Sequence, residues 1–280
     1  MINSMYQKIC LASALDLGIT DFNVLTTLNK ACLFGNLHTL ILDDIVDNST
    51  CLQYEKLKYI YIAKLYYLEY IYALKQLFNN EECYWKYLHK YEKQTYIALY
   101  HEESKHVFNL NAYGEEDLKF IGWKCAPVKS VMAGILSSAK RLDLLEYAEK
   151  MVDNASIGFL LLDDFRDWEE DLMRSRFTYP LTLSLLPLNK NIEYYAIEDL
   201  KKIVFKKLTI GQQYYDILDT VLNKLQEAMK YSEKFPTVGY FINAQMEKIK
   251  KIRLEHTEKV VLLCNEIAPH IIQEHADAGV

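Results

Sequence analysis

The chain has 280 residues, of which 51% are hydrophobic, so it is long enough to bury one large core. Its formal net charge of −6 argues against nucleic acid as a partner, because proteins that bind phosphate backbones carry an excess of Lys and Arg. Only 9 Gly and 5 Pro are present, which predicts few turns and long helices.

Cysteine usage and the N-terminal segment both indicate a cytoplasmic protein. The six cysteines are scattered without a Cys-x-x-Cys pair, as is typical of reduced, buried thiols. The first 17 residues are too polar for a signal peptide, and Asp16 interrupts their short apolar stretch. No apolar run approaches the ~18 residues that a membrane-spanning helix needs. We therefore predict a cytoplasmic protein without a stable membrane anchor.

Helical periodicity dominates the chain, and no clear strand alternation is present. Asp21 is a candidate N-cap for the first predicted helix. The predicted helices cover, in chain order, about 21–47, 54–78, 81–106, 115–140 with a bend at Pro127, 142–171, 192–207, 212–231 and 238–274. The segment 175–188 contains two prolines and is predicted to be a connection. Because no linker is visible, we predict one all-α domain over residues 1–280, built as a helical bundle.

An Asp-Asp-x-x-Asp pattern occurs twice, at 43–47 and at 163–167, and each copy follows an apolar run. Positions i and i+4 share one helix face, so Asp43 converges with Asp47, and Asp163 with Asp167. Like charges at that spacing destabilise a helix, and burial near an apolar stripe costs more unless a cation neutralises them. Mg2+ is a hard cation that takes one or two carboxylates plus substrate phosphates. The two copies therefore predict a Mg2+ site that encloses a diphosphate.

The residues that precede each motif predict the shape of the rest of the ligand. A bundle can bring two distant helices face to face, with both acidic ends at one mouth. Side chains one and two turns earlier then point into the bundle and form an apolar shaft. The predicted cavity residues are Asn36, Thr39, Leu40, Ser156, Phe159 and Leu160. Such a shaft suits an amphipathic ligand with a diphosphate head and a hydrocarbon tail.

A diphosphate also requires positive charge from the protein, which Arg supplies through bidentate contacts and Lys as a point charge. The candidate diphosphate-binding residues are Lys124, Lys129, Arg166, Arg174 and Arg176. For each of them the alternative interpretation is a solvated surface residue. Glu170 and Asp171 continue the face of the second motif, and we interpret them as a solvated helix end.

Several segments resemble the trans-isoprenyl diphosphate synthase and class I terpene synthase superfamily. Segments 37–49 and 158–167 are similar to its two aspartate-rich motifs, and 178–181 to the stretch after the second. Segment 124–126 falls where the superfamily often has a Lys-Thr pair that meets the diphosphate. The resemblance covers roughly 31–183 and is thin in the C-terminal helices. It implies the all-α isoprenoid synthase fold, three Mg2+ ions, an allylic prenyl diphosphate substrate and, as in many members, a homodimer.

The resemblance also assigns roles to individual residues. It implies that Lys124 contacts the diphosphate. It implies that the metal ligands or their supports are Asp43, Asp44, Asp47, Asp163, Asp164 and Asp167. The outer members of each motif, Asp43, Asp47, Asp163 and Asp167, would be the catalytic residues.

The departures from the superfamily pattern concern the second substrate. Chain-elongating members carry a Gly-Lys-Arg-x-Arg-Pro-like segment that binds isopentenyl diphosphate, and the 42 residues before Asp43 contain none. Segment 48–56 lacks the expected Arg pair, and Leu160 stands where a Gln is usual. We therefore predict a terpene synthase, a lyase that ionises one allylic prenyl diphosphate with Mg2+ and converts the carbocation to a cyclic terpene.

Two alternatives remain open at the level of sequence. One is a prenyltransferase, or polyprenyl diphosphate synthase, that uses a second substrate bound through unrecognised residues. The other is a non-catalytic partner subunit of such an enzyme, whose aspartates would be under no chemical demand. A purely structural helical protein is disfavoured, because it gives no reason for two uncompensated acidic faces.

Overall fold

The computed structural model describes residues 2–47, 53–79, 84–106, 110 and 112–277. These residues form α-helices and short 3-10 turns, without a strand, so the predicted all-α class is confirmed. The helices are α1 Ile2–Asp16, α2 Phe22–Asp47, α3 Gln53–Phe78, α4 Tyr84–His106, α5 Glu115–Trp123, α6 Ala126–Ser138, α7 Leu145–Arg166, α8 Trp168–Met173, α9 Tyr179–Leu185, α10 Ile197–Thr209, α11 Gln212–Tyr231 and α12 Pro236–Asp277.

Helix α6 lies at the centre of the part of the bundle that carries the aspartate motifs. It contacts α1, α2, α3, α4 and α7, and every residue of 126–136 is buried. A helix with so many apolar residues is stable only when other helices surround it. Around it, α2 packs along α3, and α7 packs along α11. The helices that carry the two motifs are thus held on one common core.

The start of α2 follows the sequence prediction closely. Asp21 precedes the helix, and its Oδ1 accepts a hydrogen bond from the backbone N–H of Val24 at 3.0 Å. This is the N-cap interaction that satisfies one of the free amides of the first turn. From there α2 runs without a break to the first aspartate motif at Asp47.

The predicted bend at Pro127 is corrected to a complete break. Helix α5 ends at Trp123, α6 begins at Ala126, and Pro127 occupies the first turn of α6. Proline has no N–H to donate, so a continuous helix would lose a hydrogen bond and clash there, whereas the first turn tolerates it. The break leaves Lys124 at the junction, where its side chain reaches α2 and α4.

Two further predictions about helix ends are corrected. The predicted helix 142–171 is interrupted at Asp167, because α7 ends at Arg166 and α8 begins at Trp168. The first turn of α8 carries three acids, which interact favourably with a helix N-terminus. Within the predicted connection 175–188 the chain forms α9, with Pro180 tolerated in its first turn. None of the helices in the described ranges is long and apolar enough to cross a membrane.

Candidate active site

The ends of α2 and α7 face a cavity of about 340 Å³. Among the described residues its wall carries eight carboxyl groups and three cations. The carboxyl groups belong to Asp43, Asp44, Glu102, Asp163, Asp164, Asp167, Glu170 and Asp171, and the cations to Lys124, Arg174 and Arg176. The rest of the wall is formed by Tyr6, Asn36, Thr39, Leu40, Cys125, Pro127, Leu160 and Thr178, and Asn36, Thr39 and Leu40 lie one to two turns before Asp43 on α2. The cavity therefore joins a strongly acidic mouth to a largely apolar interior.

The two motifs, distant in sequence, meet across this cavity. Asp43 and Asp44 come from α2, while Asp163, Asp164 and Asp167 come from α7 and the turn that follows it. Asp47 is the last residue of α2, and its side chain lies outside the described part of the chain. The juxtaposition needs no unusual local structure, because each motif simply ends a long helix of the bundle.

Lys124 connects three elements at the mouth of the cavity. Its Nζ lies 3.1 Å from Oδ1 of Asp43 and 2.6 Å from Oε2 of Glu102. Its side chain is only 14% exposed. Burial alone would lower the pKa of Lys124, but Asp43 and Glu102 outweigh burial and raise it. The lysine is therefore held as a cation, directly beside the first aspartate motif.

The two arginines of the cavity are held by acids in the same way. Arg174 Nη2 lies 2.6 Å from Oε1 of Glu170, and Arg176 Nη2 lies 3.3 Å from Oε1 of Glu102. Glu102 was not found by sequence reasoning, because it lies in a polar stretch of α4 without a motif. Only its tertiary contacts with Lys124 and Arg176 identify it.

The interpretation of the helix end as solvated is corrected for Asp171, whereas Glu170 is exposed as expected. Both side chains line the cavity, and Asp171 is buried. The Thr178 hydroxyl donates a hydrogen bond to Oδ2 of Asp171 at 3.2 Å. The break at Asp167 explains the difference, because it turns the short helix α8 back along the cavity instead of letting α7 run into solvent.

Two of the predicted diphosphate-binding residues lie elsewhere, which corrects their assignment to this cavity. Lys129 is a buried residue of α6, with its Nζ 2.6 Å from Oδ1 of Asp153. Burial lowers the pKa of Lys129 in spite of that carboxylate. Arg166 lines a different groove, on the other flank of α7.

Two of the predicted cavity residues are also corrected. Ser156 is fully buried in the core, and Phe159 lines the groove that Arg166 lines. Helical phase is the reason: Leu160 shares a face with Asp164 and Asp167, whereas Phe159 shares its face with Arg166. Asn36, Thr39 and Leu40 of α2 do line the cavity, as does Leu160.

Burial and mutual repulsion raise the pKa of several cavity carboxyl groups. The pKa of Asp164 is well above its usual range, because the group is buried and lies near Asp171 and Glu102. The pKa of Asp163 is raised by burial and by Asp167, and the pKa of Asp44 by burial and by Asp43. In the described ranges no three side chains already stand close enough to hold one metal ion. The donors are nevertheless all carboxylate oxygens, which are the ligands that Mg2+ prefers.

These raised pKa values predict that Mg2+ stabilises the protein more at high pH than at low pH. Without metal, these carboxyl groups have a higher pKa in the folded protein than in the unfolded chain. The free energy of unfolding therefore falls as the pH rises from the unfolded pKa through the folded pKa. Mg2+ requires ionised carboxylates, so its effect should grow over the same range. Saturating Mg2+ should raise Tm by on the order of 5 °C at pH 8 and by much less at pH 5. Thermal unfolding followed by circular dichroism measures both shifts; equal shifts at the two pH values would contradict the prediction.

The apolar end of the cavity closes at a definite depth. Asn36 and Pro127 line both the cavity and a small void beneath it of about 10 Å³. Tyr70 lines that void, and its hydroxyl pairs with Ser130. Gly35 permits this packing, because a Cβ there would lie 3.1 Å from the Tyr70 ring. The open shaft therefore extends from Asp43 to Asn36, about 10 Å along α2.

A second groove of about 340 Å³ lies on the other flank of α7, between α1 and α12. Lys8, Arg166 and Lys248 contribute one cation each from the three helices, and Lys8 Nζ lies 5.5 Å from the ring centroid of Phe241. The apolar wall consists of Met5, Phe159, Leu162, Phe241, Ile249 and Ile252. Asp163 lines this groove as well as the acidic cavity, so the two sites are adjacent.

No protein-family model and no curated protein matches the sequence. Solved structures do match the fold. A geranylgeranyl pyrophosphate synthetase from the archaeon Geoglobus acetivorans superposes with a TM-score of 0.67 at 15% identity, over 86% of this chain and 84% of that one. An octaprenyl pyrophosphate synthase from Helicobacter pylori superposes with a TM-score of 0.57 at 15% identity, over 86% of this chain and 91% of that one. The chain therefore has the isoprenoid synthase fold, as the sequence motifs predicted.

Proposed function

We propose that this chain binds an allylic prenyl diphosphate in the acidic cavity together with Mg2+ and ionises it. One observation carries the proposal: eight carboxyl groups face only three cations at the mouth of a cavity whose interior is largely apolar. Such a concentration of negative charge around one cavity is stabilised by added cations. A metal-bound diphosphate brings cations to the acidic mouth. Its hydrocarbon tail fills the apolar interior of the cavity.

The residues of the mouth divide into two groups with different tasks. The aspartates of both motifs would hold the metal, which when bound neutralises the charge that develops on the departing diphosphate. Lys124, Arg174 and Arg176 would donate hydrogen bonds to the diphosphate oxygens. Glu102 and Glu170 already orient these cations, so little reorganisation is required when the anion binds.

The depth of the shaft supports a short hydrocarbon tail. The shaft extends about 10 Å from Asp43 to Asn36. An extended chain advances roughly 1.2 Å per bond, so an isoprene unit of four chain bonds needs about 5 Å. Two units fit between Asp43 and Asn36, and the void beyond Asn36, which Tyr70 lines, is too small for a third. We therefore expect geranyl diphosphate to be a better substrate than its longer homologues.

For the fate of the allylic cation, prenyl transfer to a second substrate is the first candidate. Both proteins of the same fold are named as synthases of longer prenyl pyrophosphates. The groove beside Asp163 also offers this chain a basic, partly apolar site for a second phosphorylated substrate. Lys8, Arg166 and Lys248 would replace the basic segments that the sequence lacks.

Terpene synthesis from a single substrate is the second candidate, and the sequence supports it. Segment 48–56 contains no Arg, and Leu160 occupies the position where chain-elongating relatives usually have Gln. Without a second diphosphate, the cation would react within the apolar shaft and lose a proton.

One experiment separates these candidates. The purified protein is incubated with Mg2+ and geranyl, farnesyl or geranylgeranyl diphosphate, each with and without isopentenyl diphosphate. Released diphosphate is quantified and products are identified by mass spectrometry. Longer prenyl diphosphates formed only with isopentenyl diphosphate support transfer, whereas hydrocarbon formed without it supports the terpene synthase. No diphosphate release from any of the substrates would refute the proposed function.

The role of the basic groove gives a prediction for Lys248→Ala. If the groove binds the second phosphate-bearing substrate, loss of one phosphate contact should raise the KM for that substrate about 10-fold, because a charged hydrogen bond contributes roughly 1.5 kcal/mol. The KM for the allylic substrate should stay within about 2-fold. Lys250→Ala is the matched control, because Lys250 also lies on α12 and its Nζ pairs with Glu247 at 2.8 Å. Equal KM changes in both variants would remove the groove from the reaction.

A further inference from the structure

Tyr6 and Cys125 form a buried polar pair in the wall of the acidic cavity. Tyr6 belongs to α1 and Cys125 to the junction of α5 and α6, and both side chains line the cavity. They are only 4% and 7% exposed, and the Tyr6 hydroxyl is hydrogen-bonded to the Cys125 thiol. Packing alone does not explain the pair, because apolar groups of the same shape can be equally stable when they replace both partners.

The pair lies at the level where a bound diphosphate would join its hydrocarbon tail. Cys125 directly follows Lys124, whose Nζ lies 3.1 Å from Oδ1 of Asp43. Tyr6 is close enough to Asp163 for that carboxylate to raise the pKa of the phenol. The pair is therefore adjacent to both halves of the mouth. Because the first carbon of an allylic tail is bonded to a diphosphate oxygen, a diphosphate held at the mouth brings that carbon to the level of the pair.

The phenol of Tyr6 is a neutral dipole and not a base. Burial is the largest cause that holds the pKa of Tyr6 well above its usual range, and Cys125 and Asp163 raise it further. Burial also raises the pKa of Cys125 to about 11, so both groups are uncharged at neutral pH. The proton of the contact is assigned to Tyr6, because a phenol O–H is a stronger donor than a thiol S–H. This arrangement leaves the lone pairs of the Tyr6 oxygen for another partner.

Tyr6 also stands between the acidic cavity and the basic groove. Its neighbours on α1, Met5 and Lys8, line the groove, whereas Tyr6 lines the cavity. Asp163 lines both sites. A cation that forms beside Tyr6 therefore forms at the border between the two sites.

We propose that Tyr6 is a catalytic residue whose hydroxyl oxygen stabilises the allylic cation, and that Cys125 positions this hydroxyl; the proposal rests on the proposed function of the cavity. In the step concerned, the bond between the allylic carbon and the diphosphate oxygen breaks, and its electron pair leaves with the diphosphate. Tyr6 forms no bond and takes no proton. The negative end of its dipole faces the carbon that becomes positive, and a dipole fixed in advance needs no reorganisation when that charge develops.

Two non-hydrolysable ligands test this role by binding alone. Both have a bisphosphonate head and a tail of two isoprene units. In one ligand a protonated amine replaces the carbon that becomes positive, and in the other that position is a neutral carbon. At saturating Mg2+, calorimetry should show that Tyr6→Phe weakens binding of the ammonium ligand about 10-fold and changes binding of the neutral ligand by less than about 2-fold, because only the first ligand carries the charge. Equal changes for the two ligands would overturn the proposal.

Single-turnover release of diphosphate provides the second readout. Tyr6→Phe should slow release about 10-fold at saturating substrate and leave the KM within about 2-fold of wild type, because the dipole acts on the transition state. Cys125→Ala should slow release about 5-fold, whereas Cys125→Ser should stay within about 2-fold of wild type, because a serine oxygen also accepts the hydrogen bond. Tyr91→Phe is the control, since Tyr91 is a buried tyrosine outside the cavity whose hydroxyl pairs with Glu149.

The outcomes distinguish failure of this inference from failure of the proposed function. A wild type that binds neither ligand would refute the proposed function and the role of Tyr6 with it. A wild type that binds both ligands and releases diphosphate, with Tyr6→Phe unchanged in both assays, would overturn the role of Tyr6 alone. Circular dichroism of all variants establishes that they remain folded.

Discussion

Asp163→Asn should reduce diphosphate release from an allylic prenyl diphosphate at least about 1,000-fold, which corresponds to roughly 4 kcal/mol in the barrier. Asp43→Asn on the facing helix should have an effect of the same size. The reason is the geometry of the mouth, where α2 and α7 contribute carboxylates from opposite sides. A neutral amide keeps the shape of the side chain but loses most of the charge that attracts a divalent cation.

The measurement is single-turnover release of diphosphate at saturating Mg2+. Thermal unfolding without metal should show no loss of stability in Asp163→Asn, because removing one charge relieves repulsion among the acids. Asp43→Asn also loses the ion pair with Lys124, so its metal-free form should unfold at a lower temperature than wild type. Asp199→Asn is the control, since Asp199 is an exposed acid in the first turn of α10. Unchanged activity in both cavity variants would favour the non-catalytic partner subunit, and an active synthase bound to the chain would then be sought.

Lys124→Gln should slow the same reaction about 100-fold, as the loss of one donor to a developing oxyanion does in other enzymes. The lysine is the most buried of the three cavity cations, and it is the one in contact with the first motif. Glutamine can still donate a hydrogen bond but carries no charge. The substitution would also leave Asp43 and Glu102 without their shared cation. The metal-free variant should therefore unfold at a lower temperature than wild type.

Two readouts separate the catalytic role of Lys124 from a structural one. Saturating Mg2+ should restore most of the lost thermal stability, because the metal replaces the missing cation. It should not restore the rate, because the diphosphate still lacks its donor. Lys119→Gln on α5 serves as the control, since Lys119 stacks on Trp123 at 4.4 Å and does not line the cavity. Recovery of rate and stability together would mean that Lys124 acts only by holding the mouth in shape.

The fold class and the position of both aspartate motifs could be predicted from local sequence patterns. Long helices with few breaks follow from local rules, such as the N-cap at Asp21 and the 3.6-residue repeat of apolar positions. The placement of Asp43 and Asp163 at helix ends also follows from local pattern, because acids after an apolar run mark where a helix leaves the core. The isoprenoid synthase fold could be predicted because these two motifs occur together.

The side chains that surround the two motifs depend on how the helices pack, and local patterns did not predict all of them. Glu102 lies in a stretch of α4 without a motif, and only the packing of α4 beside the junction of α5 and α6 brings it to Lys124. Lys129 and Arg166 have the right charge, but helical phase directs them to the core and to another groove. Glu170 and Asp171 line the cavity because the chain breaks at Asp167, one residue beyond the end of α7. Helical periodicity determines the face of the helix on which a residue lies. The contacts of that face depend on how distant helices pack, and no local pattern encodes that packing.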